Sequence, residues 1–391
     1  MNLQLTDEQH LLVRSAADFL DAEYSFQQRH ASICHRDACL PAIWSHFAEL
    51  GWLGLCISED GGGLGGTCLD TGLLMAAMGP HLVVEPYFAC VAQAARLLDA
   101  SGDRRHMALL ADIVAGDKRM ALAHDELGCE PWAPRTLRAL RMGEDWQLDG
   151  RKLLVSGAPG ADFIMVSATD MSGGTQLFLL PKDTLGLRLH QTQRMDGSQA
   201  ADLCLERATL PEQARIASSR PIEALLQRVL AEGMVALCWE ASGTMQAALT
   251  QTASYTQQRQ QFGQSLSRFQ VVQHRLAEMA VCCEESRAAC ELATLRMDAP
   301  GCTPDTAQAM ASLAKSKVGR AARTVAYEAV QLHGGMGVCE ELPVAAMFRK
   351  LTSFTQALGS TAAHSQWYGQ SMLASGQWRT SRTLEDMGAL A

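Results

Sequence analysis

The chain has 391 residues, 48% of them hydrophobic and 19% charged, with a formal net charge of −9. That length exceeds one ordinary domain and the apolar content is ample for a core, so two or three domains are expected. The acidic balance argues against nucleic acid or an anionic membrane as partner. The first ten residues turn polar at once, unlike a secretory leader, and no window holds the roughly 18 uninterrupted apolar residues of a membrane helix. Thirteen cysteines occur with no Cys-x-x-Cys pair, and Cys282 and Cys283 are adjacent rather than at metal-ligand spacing. They read as buried free thiols of a cytoplasmic protein, with no metal site.

From Thr6 to about residue 116 the pattern is helical. Thr6 is placed as an N-cap with Gln9 at the capping-box position, and Leu12, Val13, Ala16, Phe19 and Leu20 recur with a 3.6-residue period. Further helical segments fall at 41–50 and 69–78. The glycine cluster at 61–66 does not follow a strand at dinucleotide-fingerprint spacing, so it is predicted to be a loop between helices.

Between residues 118 and 216 short branched runs alternate with turn signals. Strands are predicted at Trp146–Arg151, Phe163–Val166, Gln176–Leu180 and Asp202–Leu205, with hairpin turns at Asp149-Gly150 and Gly173-Gly174. This reads as a small antiparallel barrel or sandwich. From Pro221 to about Gly376 helical periodicity returns, with one apolar stripe on Phe269, Val272, Leu276 and Met279 and another on Ala314, Val318, Ala321 and Val325. Long helices rich in small residues suit a four-helix bundle that also buries a subunit interface. A polar tail follows Gln377. The expected fold class is α+β: a helical domain (1–118), a β domain (119–216) and a helical-bundle domain (217–391).

Three strings in order carry a resemblance. Leu50-Gly51-Trp52-Leu53-Gly54-Leu55 precedes Glu59-Asp60-Gly61-Gly62-Gly63-Leu64-Gly65. Arg259-Gln260-Gln261-Phe262-Gly263 precedes Phe269-Gln270-Val271-Val272-Gln273-His274. Gln331-Leu332-His333-Gly334-Gly335-Met336-Gly337 closes the set. Together they resemble the acyl-CoA dehydrogenase family over nearly the whole chain. Ala236–Ala241 and Gln331–Gly335 look most like the small-subunit branch typified by pimeloyl-CoA dehydrogenase, whose members pair with a related chain.

The resemblance implies FAD as cofactor, an acyl-CoA substrate, an electron-transfer flavoprotein as acceptor, and a homo-oligomer or a heterotetramer with a related subunit. Desaturating a thioester requires a carboxylate for the α proton, a flavin for the β hydride and hydrogen bonds to the developing enolate. Arg259, Phe262, Gln331, Gly334 and Gly335 are the implied cofactor contacts, reaching into the neighbouring subunit's flavin site. In isolation they read as a solvated arginine, a core phenylalanine and a helix-capping glycine pair.

Two departures accompany the match. Leu154 stands where the family carries a tryptophan beside the flavin ring, although Ser156 could still bond the ring; the family's Thr-Glu-Pro stretch is not recognisable near Ala121–Glu130, where His124, Asp125 and Glu126 read as a polar strand end or turn. Leu358 stands at one family position for the catalytic glutamate and Gly233 at the other. Glu232 is the nearest carboxylate, but one residue along a helix is a rotation of about 100°. One reading joins these points: a subunit that completes the flavin site of a partner chain bearing the glutamate. The alternatives are a self-sufficient homo-oligomer using Glu232, and a non-catalytic scaffold that binds CoA esters.

Overall fold

The structure is a computed structural model in which residues 4–35 and 38–376 are described. The polar tail from Gln377 lies outside them. Helix α1 (Asp7–Glu23) begins at a closed capping box: Thr6 Oγ1 accepts from Gln9 N, and Gln9 Oε1 accepts from Thr6 N. Helices α2 (Phe26–Cys34), α3 (Pro41–Glu49) and α4 (Cys68–His81) follow. The glycine cluster is a loop between α3 and α4. A Cβ on Gly63 would stand 2.4 Å from the Ile57 carbonyl oxygen, so the loop closes only without a side chain there. A π-helical stretch (Phe88–Ala95) runs into α5 (Arg96–Ser101), and α6 (Met107–Val114) ends the first helical region.

The middle region is one curled sheet of β1 (Met120–Ala123), β2 (Arg138–Met142), β3 (Asp145–Ser156), β4 (Phe163–Thr169), β5 (Thr175–Pro181), β6 (Leu187–Gln193) and β7 (Gln199–Pro211). Its order is β1-β4-β2-β3-β7-β6, with β5 also on β4. The sheet is mixed rather than antiparallel: β1 pairs parallel with β4, Met120 opposite Phe163. The β2–β3 hairpin intervenes between them and supplies the long crossover that parallel pairing needs. Asp149-Gly150 is no hairpin turn either. Strand β3 runs straight through it, the register against β7 shifts between Leu148 and Gly150, and Gly150 adopts φ 144° against Leu137. The pair is a bulge. Gly173-Gly174 does lie in the connection joining β4 to β5.

The last region contains α7 (Ile222–Gln258), a two-residue hairpin of β8 (Gln260–Gln261) and β9 (Gln264–Ser265), α8 (Gln270–Asp298), α9 (Pro304–His333), α10 (Pro343–Phe354) and α11 (Thr361–Ser375). Helices α4 and α7 cross backbone to backbone. A Cβ on Gly243 would lie 2.1 Å from Ala76 O, and one on Gly79 would lie 2.3 Å from Glu240 O. One apolar core therefore runs through both helical regions, with a second inside the sheet. Of the thirteen cysteines six are buried, six half-buried and Cys34 exposed, so burial is not general. Burial pushes the Cys56, Cys90 and Cys238 thiols up to about 12, which keeps them unreactive. Among the described residues no helix is long and apolar enough to cross a membrane.

Candidate functional site

A cavity of about 230 Å³ opens where all three regions meet. Its walls are the π-helical stretch (Phe88, Gln93), the end of β1, the bulged end of β3, the β6–β7 turn, one face of α7 and the C-terminal turn of α10. A second cavity of about 430 Å³ lies beside it, with Trp132 and Trp367 on its wall, and the two share His124, Leu230 and Leu358.

The segment His124-Asp125-Glu126 does leave the end of β1, but it is no solvated strand end. His124 and Glu126 are buried. His124 Nε2 lies 2.9 Å from Pro131 O and its Nδ1 2.8 Å from Ser167 Oγ. A carbonyl can only accept, so Nε2 carries the proton and Nδ1 accepts. Burial pushes this imidazole down to about 3, so it stays neutral. Glu126 Oε1 pairs with Lys152 Nζ at 2.7 Å, while its other oxygen accepts from Thr136 N and Oγ1. Burial raises the Glu126 carboxyl, but the bonds from Lys152 and Thr136 outweigh it and hold the group down at about 2. This network fixes the loop that carries Asp125 to the cavity, where burial raises its carboxyl.

Opposite, Leu358 sits in the turn after α10 at φ 49°, a left-handed conformation that costs a leucine strain. Two buried groups hold the turn. Lys315 on α9 donates to the carbonyls of Phe354 and Ala357, and His364 Nε2 bonds Leu358 O at 2.9 Å. Between these walls the guanidinium of Arg194, from the β6–β7 turn, donates to Ser156 Oγ on β3 at 3.0 Å and to Ser353 Oγ on α10 at 3.2 Å. Beside it Lys350 pairs with buried Glu240 at 2.8 Å. Nothing in the local sequence marks Arg194, Lys350 or Lys315. Each acquires its place from contacts between distant segments.

Glu232 lies apart from the main cavity. It pairs with Arg228 at 2.6 Å and Arg96 at 3.2 Å, and lines a separate pocket of about 110 Å³ with Cys56, Cys68 and Asp298. Gly233, one residue on, faces the main cavity's wall, where an added Cβ would touch Phe88 at 3.3 Å and Gln93 at 3.4 Å.

The remaining candidates gather at the far end of the bundle. Tyr255, one turn before Arg259, stacks on His333 at 4.3 Å, which brings the C-terminal ends of α7 and α9 together. Arg259 is exposed, caps α7 and makes no ion pair among the described residues. Phe262 and Gly263 form the tip of the β8–β9 hairpin, both with positive φ, and Phe262 is 88% exposed against the edge of Phe269. Gln331 is exposed in the last turn of α9. Gly334 caps that helix at φ 59°, ψ −139°, a conformation open essentially to glycine alone, and nothing lies within 4 Å of a Cβ on Gly334 or Gly335. A guanidinium without an ion pair among the described residues, at the same end of the bundle as bare backbone, suits the diphosphate of a dinucleotide. Ser156, the other implied cofactor contact, lies apart from this group and accepts from Arg194.

The profile for the acyl-CoA dehydrogenase N-terminal domain matches residues 6–103, that for the middle domain residues 120–208 and that for the C-terminal domain residues 223–373. The chain is 26% identical to the caffeyl-CoA reductase-Etf complex subunit CarC of Acetobacterium woodii, over 80% of this chain and 84% of that one. It is 28% identical to the mitochondrial long-chain specific acyl-CoA dehydrogenase of Rattus norvegicus, over 78% and 72%. Among solved structures it is similar to a Tcur3481-Tcur3483 steroid ACAD variant, at TM-score 0.86 and 27% identity over 95% of this chain and 99% of that one. The ChsE4-ChsE5 complex from Mycobacterium tuberculosis shares the fold at TM-score 0.86 and 24% identity, over 96% and 99%. With its helical, sheet and helical regions each matched in order, the chain belongs to the acyl-CoA dehydrogenase family.

Proposed function

We propose that this chain is a subunit of a cytoplasmic, flavin-dependent acyl-CoA dehydrogenase, of the kind seen in the pimeloyl-CoA small-subunit branch, and that it completes the FAD site of a related partner chain. The observation that carries this reading is the exposed group at the end of α7 and α9: Arg259, Phe262, Gln331 and the bare Gly334-Gly335 bend. A phenylalanine held at positive φ on a hairpin tip and left in solvent is costly in an isolated chain and reasonable as a contact for a neighbour. Arg259 would bond the diphosphate, Gly334 and Gly335 would let it approach the backbone, Gln331 would donate to it, and Phe262 would cover the cofactor's apolar surface.

When bound, FAD supplies the acceptor for the β hydride. The α proton needs a carboxylate, and Leu358 and Gly233 supply none. Glu232 is committed to two arginines, which favours a partner-borne base over a self-sufficient enzyme. The steroid-enzyme and Etf-complex relatives support a related subunit and an electron-transfer flavoprotein as partners, with an acyl-CoA thioester as substrate.

The test is co-purification with the related chain. Replacing Arg259 with Gln should strip flavin from the complex while leaving this chain's melting unchanged, because the side chain is exposed. A lone chain that dehydrogenates acyl-CoA with one flavin per protomer, and stops on Glu232→Gln, would refute the proposal.

A further inference from the structure

We infer that Arg194 closes this chain's own flavin-ring slot, so that the isoalloxazine in the assembly lies in the partner's slot and not in this one. The inference rests on the subunit reading above. The slot is the gap between the bulged end of β3 and the last turn of α10. A planar ring bonded to Ser156 would lie there, and the Arg194 guanidinium bridges the gap from Ser156 Oγ to Ser353 Oγ.

The turn that presents the arginine is held in place. Its turn is closed on itself: Arg194 N donates to Ser198 O at 2.8 Å, and Gly197 N to Arg194 O at 3.0 Å. Buried Asp196 accepts from Ser198 N and Oγ through its side chain, and its carbonyl accepts from Arg29 Nη2 at 2.7 Å. Arg29 in turn donates to Leu82 O at 2.9 Å. Gly197, at φ 89°, sits so close to α2 that a Cβ would meet Ile33 at 2.6 Å. The turn is thus pinned to the first helical region on one side, while its arginine reaches the last on the other.

Charge points the same way. Arg194 and Lys350 stand among Asp196, Glu240 and Asp125, and Lys350 and Glu240 are already paired. Moving the guanidinium out would leave buried carboxylates short of a counter-charge. Ser156, a residue that family resemblance assigns to the ring, therefore serves Arg194 instead. Leu154, at the tryptophan position, adopts φ 47° and lines the cavity with an aliphatic side chain in place of an aromatic ring.

The experiment measures acid-released FAD per chain in the complex with the related partner, for the native protein and for Arg194→Gly, Arg194→Gln and Arg259→Gln. The expected result is one flavin per two chains in the native complex, a rise toward one per chain when Arg194 is shortened, and loss in Arg259→Gln. Titrating FAD into the native chain alone should leave its tryptophan fluorescence unquenched. Flavin on every chain of the native complex overturns the inference while leaving the subunit reading intact if Arg259→Gln still strips it. Folded Arg194→Gly and Arg194→Gln complexes that stay at the native content also overturn it. A complex without flavin overturns the subunit reading, and this inference with it.

Discussion

Lys315 offers a quantitative test of how the Leu358 turn is held. Its ammonium is completely buried, lies 3.9 Å from the centre of the Phe354 ring, and bonds two backbone carbonyls, with no carboxylate partner among the described residues. Burial pushes its pKa from 10.5 down to about 7. The native state therefore releases its proton more readily than the unfolded chain does. Between pH about 7 and 10.5 the unfolded state binds more protons, so stability from this site rises with pH across that window. At about 1.4 kcal/mol per unit, the full window is worth about 5 kcal/mol, and two units inside it about 3 kcal/mol. The charged neighbours do not blur the sign. His364 is pushed down to about 4 and Cys238 up to about 12, so neither changes charge in the native state over this range. The unfolded chain's cysteines do titrate there, which is why the measured quantity must be a difference. Replacing Lys315 with Met keeps the apolar stem and removes the titration. Urea unfolding across the window should show the wild type gaining about 3 kcal/mol on the variant over two pH units. Parallel curves, within about 0.5 kcal/mol, would refute the reasoning.

Two further perturbations probe the scaffold. Glu126→Gln should cost about 3–5 kcal/mol by urea titration, because it leaves Lys152 as an uncompensated buried charge. The wild-type carboxylate is held down at about 2, so its contribution is present above the ordinary range near 4.5 and lost as pH falls toward 2; acid titration should unfold wild type along that slope and leave Glu126→Gln flatter. Gly243→Ala should lower stability by more than about 2 kcal/mol, because its Cβ would strike the Ala76 backbone and force α4 from α7. Gly335→Ala, in open space, should melt within about 0.5 kcal/mol of wild type.

Much of this protein is local and therefore legible in its residue order. The α1 capping box is a contact three residues long. The inward stripe of α9, with Ala314, Val318, Ala321 and Val325 all buried, is a period that any reader of the chain can count. The strings around Arg259, Phe262 and Gly334-Gly335 carried the family resemblance, which the profile matches to all three regions support. Even the orientation of Glu232 away from the cavity follows from helical rotation.

Where the chain meets itself at long range, the residue order is silent. Asp149-Gly150 has the composition of a turn, yet β7 pairs along the whole length of β3 and converts it to a bulge. His124-Asp125-Glu126 has the composition of a wet strand end, yet Lys152 and Ser167 close over it and bury two of its members. Arg194 is the sharpest case. Its role depends on Ser353, 159 residues away, and on Arg29, 165 residues before it, anchoring the next turn residue but one. Local chemistry named the family and the exposed end of the bundle. Only tertiary packing, which sets charged groups beside distant partners, decided that Arg194 bridges Ser156 and Ser353.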